Sequence, residues 1–223
     1  MIEANDIFSD SDSRVALWCN DMGDSNDMAM LANDIIENKV SLISVPPSGL
    51  SIMWTYLEKA KVKIFTRHIF ATLNKNFDKD VSDLSEKIVL DFRNGANGVS
   101  IFVKMRDFER LADLLSVIRD DLFFGHDLCL VMDVKDLSVD NFDLIFQKLN
   151  DVRANAFGIY LSEDMGLRSD FIGKIYGVLE HWNFDGDVHF MLKDNFERID
   201  QTIRLIESIR PELANRVHFF LEH

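Results

Sequence analysis

The chain has 223 residues, of which 47% are hydrophobic and 28% are charged, so disorder over most of its length is excluded. Its 38 acidic and 24 basic residues give a formal net charge of -14, which disfavours binding to nucleic acid or to an anionic membrane surface. Cys19 and Cys129 are the two cysteines, too few for a disulfide framework or a thiolate metal site.

Eight short runs rich in β-branched and aromatic residues predict β-strands, and seven amphipathic segments between them predict helices. The predicted strands are Val15 to Asn20, Val40 to Val45, Val62 to Arg67, Val99 to Lys104, Leu128 to Asp133, Phe157 to Ser162, Val188 to Lys193 and Val217 to Leu221. The predicted helices are 25–38, 48–60, 79–94, 107–121, 138–150, 168–182 and 195–209. Residues suited to helix N-caps, such as Ser25, Asp107 and Asn195, stand near several of these starts.

This alternation predicts an α/β fold, a single (β/α)8 TIM barrel whose eighth helix is missing or truncated. An open, doubly wound sheet is the alternative. We expect an acidic N-terminal extension at 1–13 and the barrel at 14–223, because no Pro-, Gly- or Ser-rich linker interrupts the chain. Residues 221–223 read Leu-Glu-His, so they belong either to the protein or to a vector-encoded tail.

The predicted compartment is the cytoplasm, and no membrane partner is expected. No apolar stretch approaches the roughly 20 residues that span a bilayer. The first residues are acidic, whereas a secretory signal begins with basic ones.

Three segments resemble the deoxyribose-phosphate aldolase family. They are the second strand and the helix after it (42–57), the third strand (62–70) and the Gly-Ala turn before the fourth strand (94–99). The resemblance implies a class I aldolase, with an aspartate on the fourth strand, a Schiff-base lysine on the sixth and a second lysine on the seventh. These positions correspond here to Ser100, Tyr160 and Met191.

Those three residues cannot carry out the family's chemistry. Serine is not a base near neutral pH, and a phenol cannot form an imine with an aldehyde. The glycine-rich turns that bind phosphate in the family are replaced here by residues 193–196 and 221–223. We therefore expect native aldolase activity to be altered or absent, as in a pseudoenzyme.

A second hypothesis moves the lysine chemistry toward the rim. Residues two apart on a strand share a side, so Lys104 follows Ser100 and Lys193 follows Met191 toward the C-terminal end. Lys193 would be the nucleophile, Lys104 would perturb its pKa, and Asp133 would be the acid and base for a small aldehyde or keto substrate. The simpler alternative is that these charges are solvated ion pairs at the rim.

Other strand ends supply candidate ligand contacts. Arg67 and His68 close the third strand, and alternation allows only one of these neighbours to face inward. Asn20 and Ser162 end the first and sixth strands. The expected ligand is a small carbonyl compound or sugar phosphate, with no metal and no cofactor. A non-catalytic binding or scaffold protein is a third hypothesis, and an uncovered eighth-helix position would favour a homo-oligomer.

Overall fold

The computed structural model describes residues 14–20, 23–71, 77–162, 168–192 and 195–222, and these contain eight strands. The strands are β1 (Val15–Trp18), β2 (Leu42–Val45), β3 (Lys63–Ile69), β4 (Gly98–Phe102), β5 (Asp127–Asp133), β6 (Ala156–Tyr160), β7 (Asp187–Met191) and β8 (Val217–Glu222). Each strand pairs in parallel with the next, and β8 pairs with β1 to close the ring. The predicted barrel is confirmed, and the open sheet is excluded.

Helices follow seven of the strands within the described ranges. They are α1 (Ser25–Glu37), α2 (Leu50–Leu57), α3 (Phe77–Arg93), α4 (Met105–Leu122), α5 (Phe142–Asp151), α6 (Arg168–His181) and α7 (Phe196–Ile209). Short 3-10 turns precede α2 and α5, so both helices begin later than the sequence predicts. Among these helices, none combines the length and the apolar character needed to cross a bilayer.

Two predicted N-caps are corrected by the structure. Asp24 caps α1 in place of Ser25. The backbone of Asp24 is extended, and its carboxylate accepts hydrogen bonds from two backbone N–H groups of the first turn. Helix α4 begins at Met105, so Asp107 lies inside its first turn. Asn195 caps α7 as expected, with its side chain accepting a hydrogen bond from the backbone N–H of the third helical residue.

Both faces of the strands are buried, as parallel sheets require. Outward residues such as Ile101, Leu130 and Phe190 are fully buried under helix residues that include Leu111 and Ile145. Burial of each such side chain contributes roughly 1.5–3 kcal/mol. A separate apolar cluster fills the inside of the ring; its buried members are Ala16, Leu42, Phe65, Cys129, Val131, Ala156, Met191 and Phe220.

Candidate functional site

The three positions that the family resemblance singles out face the lumen. Met191 belongs to the apolar cluster inside the ring, and Tyr160 packs against this cluster. Ser100 is fully buried and pairs in register with Cys129 of the same cluster. The structure therefore brings a hydroxyl, a phenol and a thioether to these lumen positions, as strand alternation predicts.

Three aromatic rings close the C-terminal mouth of the barrel, where barrel enzymes hold their active sites. Trp18, Phe102 and Tyr160 form this aromatic cap. The ring centroid of Trp18 lies 5.5 Å from that of Phe102 and 5.7 Å from that of Tyr160, and Phe102 and Tyr160 are also 5.7 Å apart. A cavity of about 70 Å³ remains beside the cap, which is room for roughly two water molecules.

Arg67 is held beside the aromatic cap by several partners at once. Its guanidinium lies 4.6 Å from the ring centroid of Trp18 and donates a 2.9 Å hydrogen bond from Nη1 to Asn20 Oδ1. It also donates to the backbone carbonyl of Cys19, while Asn20 donates to the carboxylate of Glu222. Burial lowers the pKa of Arg67. Two predicted ligand contacts, Arg67 and Asn20, are thus adjacent and bonded to each other.

His68 points the opposite way, into the layer between the barrel and α3. Its Nε2 lies 2.8 Å from Asp91 Oδ2, and both side chains are buried. The structure therefore separates His68 from Arg67 and pairs it with a helix residue. Alternation allowed only one of the two to face inward, and the residue that does is Arg67.

Lys104 and Asp133 line one cavity of about 490 Å³ at the C-terminal rim, outside the aromatic cap. Phe102 and Tyr160 of the cap form its inner wall. Asp133 also accepts a 2.9 Å hydrogen bond from the backbone N–H of Lys135, which fixes the direction of its carboxylate. The rim cavity is therefore polar on one side and aromatic on the other.

Lys193 and Ser162 are the two remaining predicted residues. Lys193 lies outside the described residues. Ser162 follows β6, and its hydroxyl oxygen is buried without a hydrogen-bond partner among the described residues. Ser162 does not line the described part of the rim cavity.

Sequence reasoning missed a larger cavity, of about 580 Å³, at the N-terminal mouth. Asp187, His189 and His218 line it on one side, and Lys63 and Asp127 line it on another. Lys63 Nζ lies 2.7 Å from Asp127 Oδ2, whereas His218 Nε2 is 3.8 Å from Asp187 Oδ2. Alternation predicts that Asp187 and His189 share a side, but it does not predict that space remains between them and β3.

Burial and neighbouring charged groups both shift pKa values at this mouth. It lowers the pKa of His189 to about 3, so the ring is neutral near neutral pH. Burial raises the pKa of Asp187, but the neighbouring His218, His189 and Arg216 outweigh it and leave the pKa below its ordinary value. Within the described ranges, no group of three or more His, Cys, Asp or Glu side chains is arranged to hold a metal ion.

No protein-family model and no curated protein sequence matches the chain. The deoxyribose phosphate aldolase from Aeropyrum pernix, described as tetrameric, has a TM-score of 0.67 at 11% identity and covers 94% of this chain and 85% of its own. Another aldolase has a TM-score of 0.68 at 14% identity, with 95% and 91% covered. The chain has the barrel fold of deoxyribose-phosphate aldolases.

That fold also carries other chemistry. Homocysteine methyltransferase from Escherichia coli has a TM-score of 0.63 at 9% identity, and the alignment covers 98% of this chain and 93% of the methyltransferase. A lyase and a transferase thus superpose on this barrel almost equally well. Function must be argued from the side chains of the site.

Proposed function

We propose that this aldolase-like barrel lacks imine-forming chemistry at the family's usual positions, so that its native carbon–carbon lyase activity is altered or absent. The observation that carries the proposal is the aromatic cap. Tyr160, a member of the cap, occupies the position where the resemblance expects the Schiff-base lysine, and a phenol cannot form an imine. The packed rings also keep a carbonyl substrate from reaching that depth.

The contacts of Arg67 and Asn195 support the same proposal. A sugar phosphate needs a cation or backbone N–H groups near the C-terminal mouth. Arg67 directs two of its donors to Asn20 and to the carbonyl of Cys19. The side chain of Asn195 accepts from the backbone N–H of Arg198 and so occupies one donor at the start of α7.

Proton NMR of deoxyribose phosphate incubated with the protein tests the loss of native activity. We expect no carbon–carbon cleavage above that of a protein-free sample. Enzymatic cleavage that survives repurification would contradict the proposal.

A gain-of-function variant tests the role of the position itself. Tyr160→Lys should form a borohydride-trapped adduct with acetaldehyde, because it removes one ring of the aromatic cap and restores an amine beside the lumen. Tyr176→Lys is the matched control, since Tyr176 is exposed on α6. Mass spectrometry should show faster labelling at position 160 than at position 176. Equal labelling at both positions would mean that the lumen position does not increase the reactivity of an introduced lysine toward the aldehyde.

A second candidate function is class I chemistry with a relocated lysine. The observation that favours it is the rim cavity, which both Lys104 and Asp133 line. In this mechanism the amine of Lys193 attacks the carbonyl carbon, and water leaves as the imine forms. The positive charge of Lys104 lowers the pKa of the nucleophile, and the Asp133 carboxylate moves the protons.

Borohydride trapping on the unsubstituted protein tests this second candidate. With acetaldehyde and a panel of small keto acids, a reduced adduct should map to Lys193 and disappear in Lys193→Arg. Lys59→Arg, at an exposed position after α2, should label as the unsubstituted protein does. Absence of any adduct at Lys193 across the panel would refute relocated imine chemistry and leave the first proposal standing.

A further inference from the structure

The cavity at the N-terminal mouth has no part in either proposed chemistry. In an eight-stranded barrel, side chains normally fill the interior. Here a cavity of about 580 Å³ is lined in part by three lumen residues, Phe65, Ala156 and His189. A molecule that enters this mouth can therefore contact the inside of the barrel.

Two histidine ring nitrogens in the wall of this cavity have no hydrogen-bond partner among the described residues. His189 is only 3% exposed, and its Nδ1 has no hydrogen-bond partner among the described residues. The Nδ1 of His218 is also buried and unpartnered within the same described ranges. Buried polar atoms are normally hydrogen-bonded, so two unpartnered ring nitrogens in one cavity wall mark this wall as a place where a bound molecule, or water held beneath it, gains hydrogen bonds.

The charges around the mouth include a lysine group and an aspartate group, and two further charged residues of the lining are already in ion pairs, Asp127 with Lys63 and Arg153 with Asp120. Lys61 and Lys63 stand at the start of β3, and Asp185 and Asp187 stand at the start of β7. The strands β3 and β7 are four places apart in a ring of eight, so the two groups face each other across the mouth. Within the part of the chain that the structure describes, Lys61 and Asp185 form no ion pair.

The aspartate side also retains capacity to accept a hydrogen bond. Two basic side chains of the described residues have a nitrogen within 4 Å of the Asp187 carboxylate, His218 with Nε2 at 3.8 Å and Arg216 with Nε at 3.9 Å. Both distances are too long for a hydrogen bond. An ammonium group of a ligand could therefore donate to Asp187 without displacing an existing bond.

We propose that the N-terminal mouth binds a small zwitterion whose ammonium and carboxylate groups are separated by several methylene groups. The ammonium group meets Asp185 and Asp187, and the carboxylate meets Lys61, because Lys63 is already paired with Asp127. The methylene chain packs between the two groups, above the ring of His189. A molecule with a single charge would satisfy one side of the mouth and face like charge on the other.

Calorimetric titration with ε-aminocaproate tests this proposal, with hexanoate and hexylamine as singly charged analogues of the same chain length. We expect ε-aminocaproate to bind more tightly than either analogue. Asp185→Asn and Lys61→Gln should each weaken it by about two- to fivefold, which is the usual effect of one partly exposed ion pair. Lys59→Gln is the matched control and should leave the affinity unchanged.

NMR of the histidine rings distinguishes the cavity from the outer surface. The His189 resonances, assigned by their absence in His189→Gln, should shift on addition of ε-aminocaproate. Equal binding of hexanoate or of hexylamine would overturn the zwitterion proposal, as would absence of binding or an unmoved His189 signal. None of these outcomes depends on the chemistry at the C-terminal mouth.

Discussion

Burial of His189 predicts that acid destabilises the barrel. The ring packs against Phe220, His218 and Phe65, with centroid distances of 5.2, 5.4 and 5.9 Å. Burial, reinforced by His218 and Lys63 and opposed by Asp187, lowers the pKa of His189 from 6.5 to about 3. Folding therefore competes with protonation of this residue.

The sign and the size of the effect follow from this pKa. The unfolded chain protonates His189 near pH 6.5, and the folded chain protonates it only near pH 3, so stability is lost as the pH falls between these values. Each pH unit in this window changes the free energy of unfolding by about 1.4 kcal/mol. Acidification to about pH 4 should remove roughly 3 kcal/mol through His189 alone.

Urea unfolding of His189→Gln at about pH 7 and about pH 4 measures this contribution. At neutral pH the variant should be less stable, by about 1–2 kcal/mol, because ring packing is lost. Between the neutral and the acidic pH, the unsubstituted protein should lose roughly 3 kcal/mol more of its free energy of unfolding than the variant does. His126→Gln, which removes a partly exposed imidazole, is the matched control. If His189→Gln and the unsubstituted protein lose stability in parallel, the reasoning about burial is refuted.

Two further predictions concern packing and thiol reactivity. A Cβ at Gly158 would lie 2.6 Å from a methyl group of Val131, so Gly158→Ala should cost about 1–3 kcal/mol in urea unfolding, whereas Gly173→Ala, with open space around it, should not destabilise. Equal effects of the two variants would contradict the packing of the lumen. Burial raises the pKa of Cys19 to about 11 and also raises the pKa of Cys129, so both thiols should resist an aromatic disulfide reagent at neutral pH until the protein unfolds. Rapid labelling of either native thiol would show that it is accessible.

Local patterns predicted which strand residues near the C-terminal mouth face the lumen. Alternation along β4 and β7 correctly sends Ser100 and Met191 to the lumen, because it depends only on backbone pleating. The same rule could not choose between Arg67 and His68, since both faces of a parallel strand are buried in a barrel. That choice depended on Asp91, which lies on a distant part of α3 and pairs with His68.

The number, type and order of the strands and helices were determined by the sequence itself, because hydrophobic periodicity and turn chemistry act over a few neighbouring residues. The aromatic cap and the open N-terminal mouth were decided by the tertiary structure alone. Each depends on side chains from strands far apart in the chain, such as Trp18 with Tyr160 and Lys63 with Asp187. Whether such side chains fill the lumen or leave a cavity depends on their combined volume once the barrel has closed. That volume cannot be predicted from the pattern of any single strand.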